Sequence, residues 1–214
     1  MSKPEIVVVD YGVGNLLSVQ RGLEHCGAEV ILASSAERIL RASKIVLPGV
    51  GAFGNAMAAL QALDLVEALR TVAARGTPLL GICLGMQLLL DESEEFGLTK
   101  GLGIIPGRVV AMQSKSADGK ERKIPHIGWN GLLPSASANW HNSVLGKLSP
   151  GEAVYFVHSF EAVPDDPLHK IAICLYDGHQ VTAVVQKGQT TGCQFHPEKS
   201  GAVGLSILEK FCGD

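Results

Sequence analysis

Pro78-Leu79-Leu80-Gly81-Ile82-Cys83-Leu84-Gly85 is the stretch on which the reading of this chain turns. A short apolar run behind a proline reads as a buried strand. It continues without a break into Met86-Gln87-Leu88-Leu89-Leu90, which reads as an apolar helix. Glycines flank Cys83 at the junction, the context in which G-x-S-x-G carries a nucleophile on a sharp strand-to-helix turn. Here the presented atom is a thiol. A side chain at either flanking position would crowd the turn, and the positive end of the following helix favours a thiolate.

On the N-terminal side of this junction, the first half repeats the same grammar. Ile6 to Val9, Glu29 to Leu32 and Ile45 to Leu47 read as strands, the last closed by Pro48-Gly49. Between them lie a helical pattern from Leu16 to Gly27, a helix start at Ser35-Ala36-Glu37 and one Ala/Leu-rich helix from Ala56 to Ala74. After Gly101 the apolar runs are separated by turn residues. Val109 to Met112, Val154 to His158, Ile171 to Leu175, Val181 to Gln186 and Thr191 to Phe195 read as partly antiparallel strands, and Ala202 to Phe211 as a closing helix. Ser114 to Lys123, with Lys115, Lys120, Arg122 and Lys123, reads as a solvated basic loop, and Pro134 to Asn142 as a second polar loop. The expected fold class is α/β, doubly wound: a mostly parallel central sheet with helices on both faces and additional antiparallel strands in the C-terminal half, as one domain over residues 1–214.

Composition narrows the function. Of 214 residues, 46% are hydrophobic and 18% charged, with a net charge of −3, so no global electrostatic field draws nucleic acid or an anionic membrane. The longest apolar stretch, Leu79 to Leu90, is too short to span a bilayer, and Ile6 to Val9 is too short for a signal-peptide core. Five cysteines with no C-x-x-C pair argue against a disulfide scaffold or zinc ribbon, and the expected compartment is the reducing cytoplasm. No metal and no cofactor are expected: Cys193 and His196 lack further ligands, and no G-x-x-x-x-G-K-[ST] occurs. Gly49, Gly51 and Gly54 fit G-x-G-x-x-G but follow the third strand, behind Pro48, and no ribose-binding acid lies about 20 residues on.

A thiol nucleophile needs a base and the base an orienting acid. His196-Pro197-Glu198 ends a predicted strand, and in an extended segment the i and i+2 side chains point the same way, so Glu198 can hold His196 in the tautomer that serves Cys83. Backbone donors for an oxyanion could come from Leu84 N–H and from Pro48-Gly49-Val50-Gly51, where glycines let the backbone turn or approach.

These residues resemble a family. Gly81-Ile-Cys-Leu-Gly-Met-Gln87 with His196-Pro197-Glu198 is similar to the class I (triad) glutamine amidotransferases. Tyr11-Gly-Val-Gly-Asn15, Pro48 to Gly51, Pro125-His-Ile-Gly-Trp-Asn130, Tyr155-Phe-Val-His-Ser159 and His196 to Ser200 resemble, more narrowly, the subfamily that supplies ammonia to imidazole glycerol phosphate synthase. The resemblance runs through nearly the whole chain. It implies hydrolysis of L-glutamine to glutamate and ammonia through a Cys83 thioester, with His196 as acid and base and Glu198 orienting it. Val50, Gly51 and Leu84 would supply oxyanion N–H groups, and Gln87, Glu95, Ser159 and Phe160 would bind the glutamine. Relatives often carry Tyr at position 160, so only a main-chain role carries over to Phe160. The implied partner is a synthase (cyclase) subunit of (β/α)₈ form, held in a heterodimer, that uses the ammonia to make imidazole glycerol phosphate and aminoimidazole carboxamide ribotide in histidine biosynthesis. Asn15, His126, Trp129, Asn130 and Lys199 match positions near that interface or the ammonia passage. Two alternatives stand beside this reading: a glutaminase serving another ammonia-using synthase, and a non-catalytic binding module on the same fold.

Overall fold

The computed structural model describes residues 3–115, 119, 121–135 and 140–213. Its first half alternates β1 (Glu5–Val9), α1 (Leu16–His25), β2 (Glu29–Ala33), α2 (Ala36–Leu40), β3 (Ile45–Gly49), α3 (Phe53–Ala62), α4 (Leu65–Ala74), β4 (Leu79–Cys83) and α5 (Leu84–Leu88). Two short strands, β5 (Glu92–Ser93) and β6 (Thr99–Lys100), precede β7 (Gly107–Ala111), β8 (His126–Gly131) and β9 (Leu133–Pro134). The chain then runs through β10 (Ala153–His158), β11 (Phe160–Pro164), β12 (Lys170–Tyr176), β13 (His179–Lys187), β14 (Thr190–Cys193) and α6 (Gly201–Gly213).

One sheet dominates, in the order β2-β1-β3-β4-β14-β13-β12-β9. The first five strands are parallel and the remaining pairings antiparallel. Because it is covered on both faces, its strands are apolar at successive positions. Ile6 and Val8 of β1 face a core shared with α1 and α6, while Val7 and Val9 face another shared with α2, α3 and α4. Cys83 therefore ends a central parallel strand at its carboxyl edge, where open α/β sheets place their sites. Beside it lie the antiparallel pair β8 and β10 and a four-stranded sheet ordered β11-β7-β5-β6.

Four expectations need correction. The single helix expected from Ala56 to Ala74 is two, because Asp64 adopts a left-handed backbone (φ 55°) that Asp tolerates better than most residues. β3 does not stop before Pro48-Gly49. It runs through both, opposite Ile82 and Cys83, and Pro48 is accommodated because the pairing with β1 extends only to Val46. The helix after Cys83 has five residues rather than reaching Leu90, so its dipole is smaller than the sequence suggests. In the basic run, Lys115 and Lys123 are exposed, but Arg122 is buried, donating to the carbonyls of Gln113, Lys115 and Asp177. Lys120 and residues 136–139 lie outside the described residues; in the remainder of that second loop Trp140 is buried and donates to Ile171 O at 3.1 Å.

Candidate active site

Cys83 sits at φ 54°, ψ −111°, a backbone conformation that is costly for a residue with a Cβ. The turn that holds it is closed from three directions. A Cβ on Gly81 would come within 2.8 Å of the Gly85 carbonyl, one on Gly85 would collide with Leu47 O, and one on Gly49 would lie 2.7 Å from the Tyr11 hydroxyl. That hydroxyl donates to Pro48 O at 2.7 Å, tying the expected oxyanion segment to β1's end. The glycines thus let β3 and the elbow touch backbone to backbone.

His196 meets Glu198 through Nδ1 and Oε1 at 2.8 Å, with both side chains almost wholly buried. The expected extended geometry is not how they meet. β14 ends at Cys193, and Pro197–Lys199 is a 3-10 turn that folds Glu198 back onto His196. Ser200 fixes this turn: its hydroxyl donates to His196 O at 2.7 Å and accepts from Tyr155 N at 3.0 Å. Burial pulls the His196 pKa down, yet its hydrogen bonds to Cys83 and Glu198 and their charges outweigh that and raise it to about 9.

A cavity of about 420 Å³ opens on Cys83 and His196. Val50, Gly51, Leu84, Gln87, Glu95, Ser159, Phe160 and Lys199 line it, so every expected oxyanion and glutamine-binding residue borders one space. Glu95 Oε2 accepts from Phe53 N at 2.6 Å, which moors the carboxylate to the start of α3. Gln87 is buried, and its amide NH₂ donates to Phe160 O (3.1 Å) and Gln194 Oε1 (3.0 Å). A volume of 420 Å³ suits an amino acid, and the donor set suits acyl transfer: a thiol, an imidazole with an orienting carboxylate, and main-chain segments beside the sulfur. A larger opening of about 600 Å³ beside Arg70, Asp91 and Lys100 contains neither Cys83 nor His196.

The residues assigned to a partner-facing role divide. Trp129 is 56% exposed and packs edge-on against Tyr155, and Asn15 is half-buried at the start of α1. His126 cannot be a surface contact: it is fully buried, stacked between Phe156 and Tyr176. Its ring and neighbours form a line. Asn130 Nδ2 is 2.6 Å from His126 Nε2, His126 Nδ1 is 2.9 Å from His158 Nε2, and His158 Nδ1 is 2.9 Å from Phe160 O. A carbonyl can only accept, so His158 Nδ1 carries the proton there, His158 Nε2 accepts from His126, and His126 Nε2 accepts from Asn130. Burial, the main cause in each, lowers the pKa of His126 to about 4 and of His158 to about 3.

Sequence reasoning passes over His158, Gln194 and Ser200 as individual residues. Gln194 carries a signal, an amide standing in an apolar strand run next to Cys193 and Phe195. Ser200 has none beyond its motif.

The chain is similar to known proteins over nearly its whole length. Residues 7–213 match the family described as glutamine amidotransferase class-I. The chain is 48% identical over 207 residues to imidazole glycerol phosphate synthase subunit HisH 1 of Legionella pneumophila (strain Lens), covering 96% of this chain and 97% of that one. It is 47% identical over 210 residues to subunit HisH of Geobacillus thermodenitrificans, covering 97% and 95%. Among solved structures, PurLQS from Thermotoga maritima aligns with a TM-score of 0.72 at 20% identity, over 99% of each chain, a likeness of fold.

Proposed function

The chain belongs to the class-I glutamine amidotransferase family, and from that premise we propose that it is the glutaminase subunit of imidazole glycerol phosphate synthase, hydrolysing L-glutamine and delivering ammonia for histidine biosynthesis. The observation that carries this reading is the convergence of Cys83, His196 and the expected glutamine-binding residues on one amino-acid-sized cavity, with Glu198 behind the imidazole. In the proposed mechanism the Cys83 sulfur attacks the side-chain amide carbon, and the carbonyl oxygen takes the negative charge opposite the N–H groups of Leu84 and of Val50 or Gly51. His196 gives its proton to the departing nitrogen, which leaves as ammonia, and the glutamyl group remains on Cys83 as a thioester. Water then adds to the thioester while His196 takes a proton from it, and glutamate leaves as the thiol is restored. Glu95 faces the substrate's ammonium and Gln87 holds the Phe160 carbonyl in place. Because free ammonia would be protonated and lost in water, the reading pairs this chain, as a single domain in the cytoplasm, with a synthase subunit of (β/α)₈ form in a heterodimer, docked over Asn15, Trp129 and Lys199.

The test is reconstitution. Mixed with the synthase subunit, the wild-type chain is expected to co-elute with it and to turn over glutamine, with the nitrogen appearing in the imidazole product. Cys83→Ala should abolish glutamine use while the complex still uses added ammonium salts. Glutamine hydrolysis by Cys83→Ala would overturn the mechanism, and absence of any complex would overturn the partner.

A further inference from the structure

Gln194 is fully buried and its side chain reaches the reacting atom: Nε2 lies 3.8 Å from Cys83 Sγ, within hydrogen-bonding range of a sulfur. Its position follows from register. Cys193 at the end of β14 pairs with Ile82, so the next residue stands beside Cys83, and Gln194 N is held by Ala183 O at 2.9 Å. Which end of the amide faces the sulfur is forced. Phe160 O can only accept, so the Gln87 atom 3.1 Å from it is the NH₂ group. The Gln194 atom that meets this same NH₂ at 3.0 Å is therefore its carbonyl oxygen, and its own NH₂ is left for Cys83. A flipped amide would set two NH₂ groups against each other and an oxygen against the sulfur. Phe160 O also accepts from His158 Nδ1 at 2.9 Å, so the carbonyl that fixes the chain is itself fixed. An apolar side chain would fill the space without the cost of burying an amide.

We infer that Gln194 is a further catalytic residue: an N–H donor, aimed by Gln87 and the Phe160 carbonyl, that stabilises the negative charge on the Cys83 sulfur. The donor favours the thiolate before attack, and when the thioester breaks and charge returns to sulfur the same N–H receives it. No bond forms or breaks at Gln194. The effect on thiol reactivity stands on geometry alone; only the effect on turnover rests on the glutaminase reading.

Two variants separate charge stabilisation from packing. Gln194→Met removes the donor and both polar atoms, whereas Gln194→Glu keeps the shape and still accepts from Gln87 but turns a carboxylate toward the sulfur. Alkylation of Cys83 by iodoacetamide, followed by mass spectrometry of its peptide in the intact protein between pH 6 and 10, reads the thiolate directly. Both variants are expected to alkylate about tenfold more slowly at pH 7.5, with profiles displaced to higher pH. In the complex, glutamine kcat should fall by a similar factor with KM little changed. Alkylation profiles that superpose on the wild type would overturn the inference, whatever happens to turnover. A wild type that alkylates normally yet hydrolyses no glutamine in the complex would overturn the proposed function and leave the Gln194 assignment intact.

Discussion

Replacing Glu198 by Gln removes a charge from the centre of the site while leaving an oxygen able to accept from His196 Nδ1, now 2.8 Å from Glu198 Oε1. His196 loses its proton at about 9 in the folded chain against an ordinary 6.5, even though burial, the largest single effect, works the other way. Raised above its unfolded value, the group contributes stability that is fully present below pH 6.5 and is lost as pH rises through about 9. The gap between 6.5 and about 9 corresponds to about 3 kcal/mol at most. Cys83 supplies part of it, so the loss expected for Glu198→Gln is about 1–2 kcal/mol at pH 6. At a urea slope of about 2 kcal/mol/M that lowers the unfolding midpoint by roughly 0.5–1 M. The difference should shrink with rising pH and disappear or invert by about pH 10, where His196 is neutral in both states. The wild type then keeps a buried carboxylate whose Oε2 has no hydrogen-bond partner among the described residues. In the complex, the alkaline limb of kcat/KM for glutamine should move down by about one to two pH units. Urea titrations at pH 6, 7.5 and 10 decide the matter: an equal destabilisation at all three would refute the ion-pair reasoning.

Gly85→Ala would drive a Cβ into Leu47 O, and because the obstacle is backbone the elbow and β3 must separate. We predict a loss of about 3 kcal/mol or more, at the upper end of overpacking costs of about 1–3 kcal/mol, together with loss of Cys83 alkylation by glutamine analogues; a thermal midpoint within a degree of wild type would contradict the contact. Glu95→Gln keeps an acceptor for Phe53 N but not the charge expected to face the substrate ammonium, so KM for glutamine should rise about tenfold or more with kcat changed far less; an unchanged KM would remove Glu95 from the binding site.

What the sequence can disclose follows the range of each interaction. The apolar runs Ile6 to Val9 and Leu79 to Ile82 announce strands buried on both faces, and the glycines around Cys83 announce a turn with no room for side chains. β8 is illegible as a strand because His126-Ile-Gly-Trp-Asn-Gly131 has a mixed surface rather than an apolar face, and its structure depends on pairing with β10. Residues 196 and 198 do meet, but for a reason that the fold replaces: the turn at Pro197, not strand alternation, joins them. Gln194 cannot be connected with Cys83 from spacing at all, since 111 positions separate them and only the parallel register of β14 on β4 brings them together.

Two imidazoles, His196 and His158, line the Cys83 cavity and a third, His126, is bonded to His158 behind it, and they are not equivalent as proton sources. His196 is protonated up to about pH 9, whereas burial keeps His158 and His126 neutral down to about 3 and 4, each with its single ring proton already committed to a neighbour. Once His196 has given its proton to the departing nitrogen, the released ammonia meets no proton donor of ordinary acidity in the adjoining histidine line. Passing along those two rings, the nitrogen would stay uncharged rather than be stranded as ammonium.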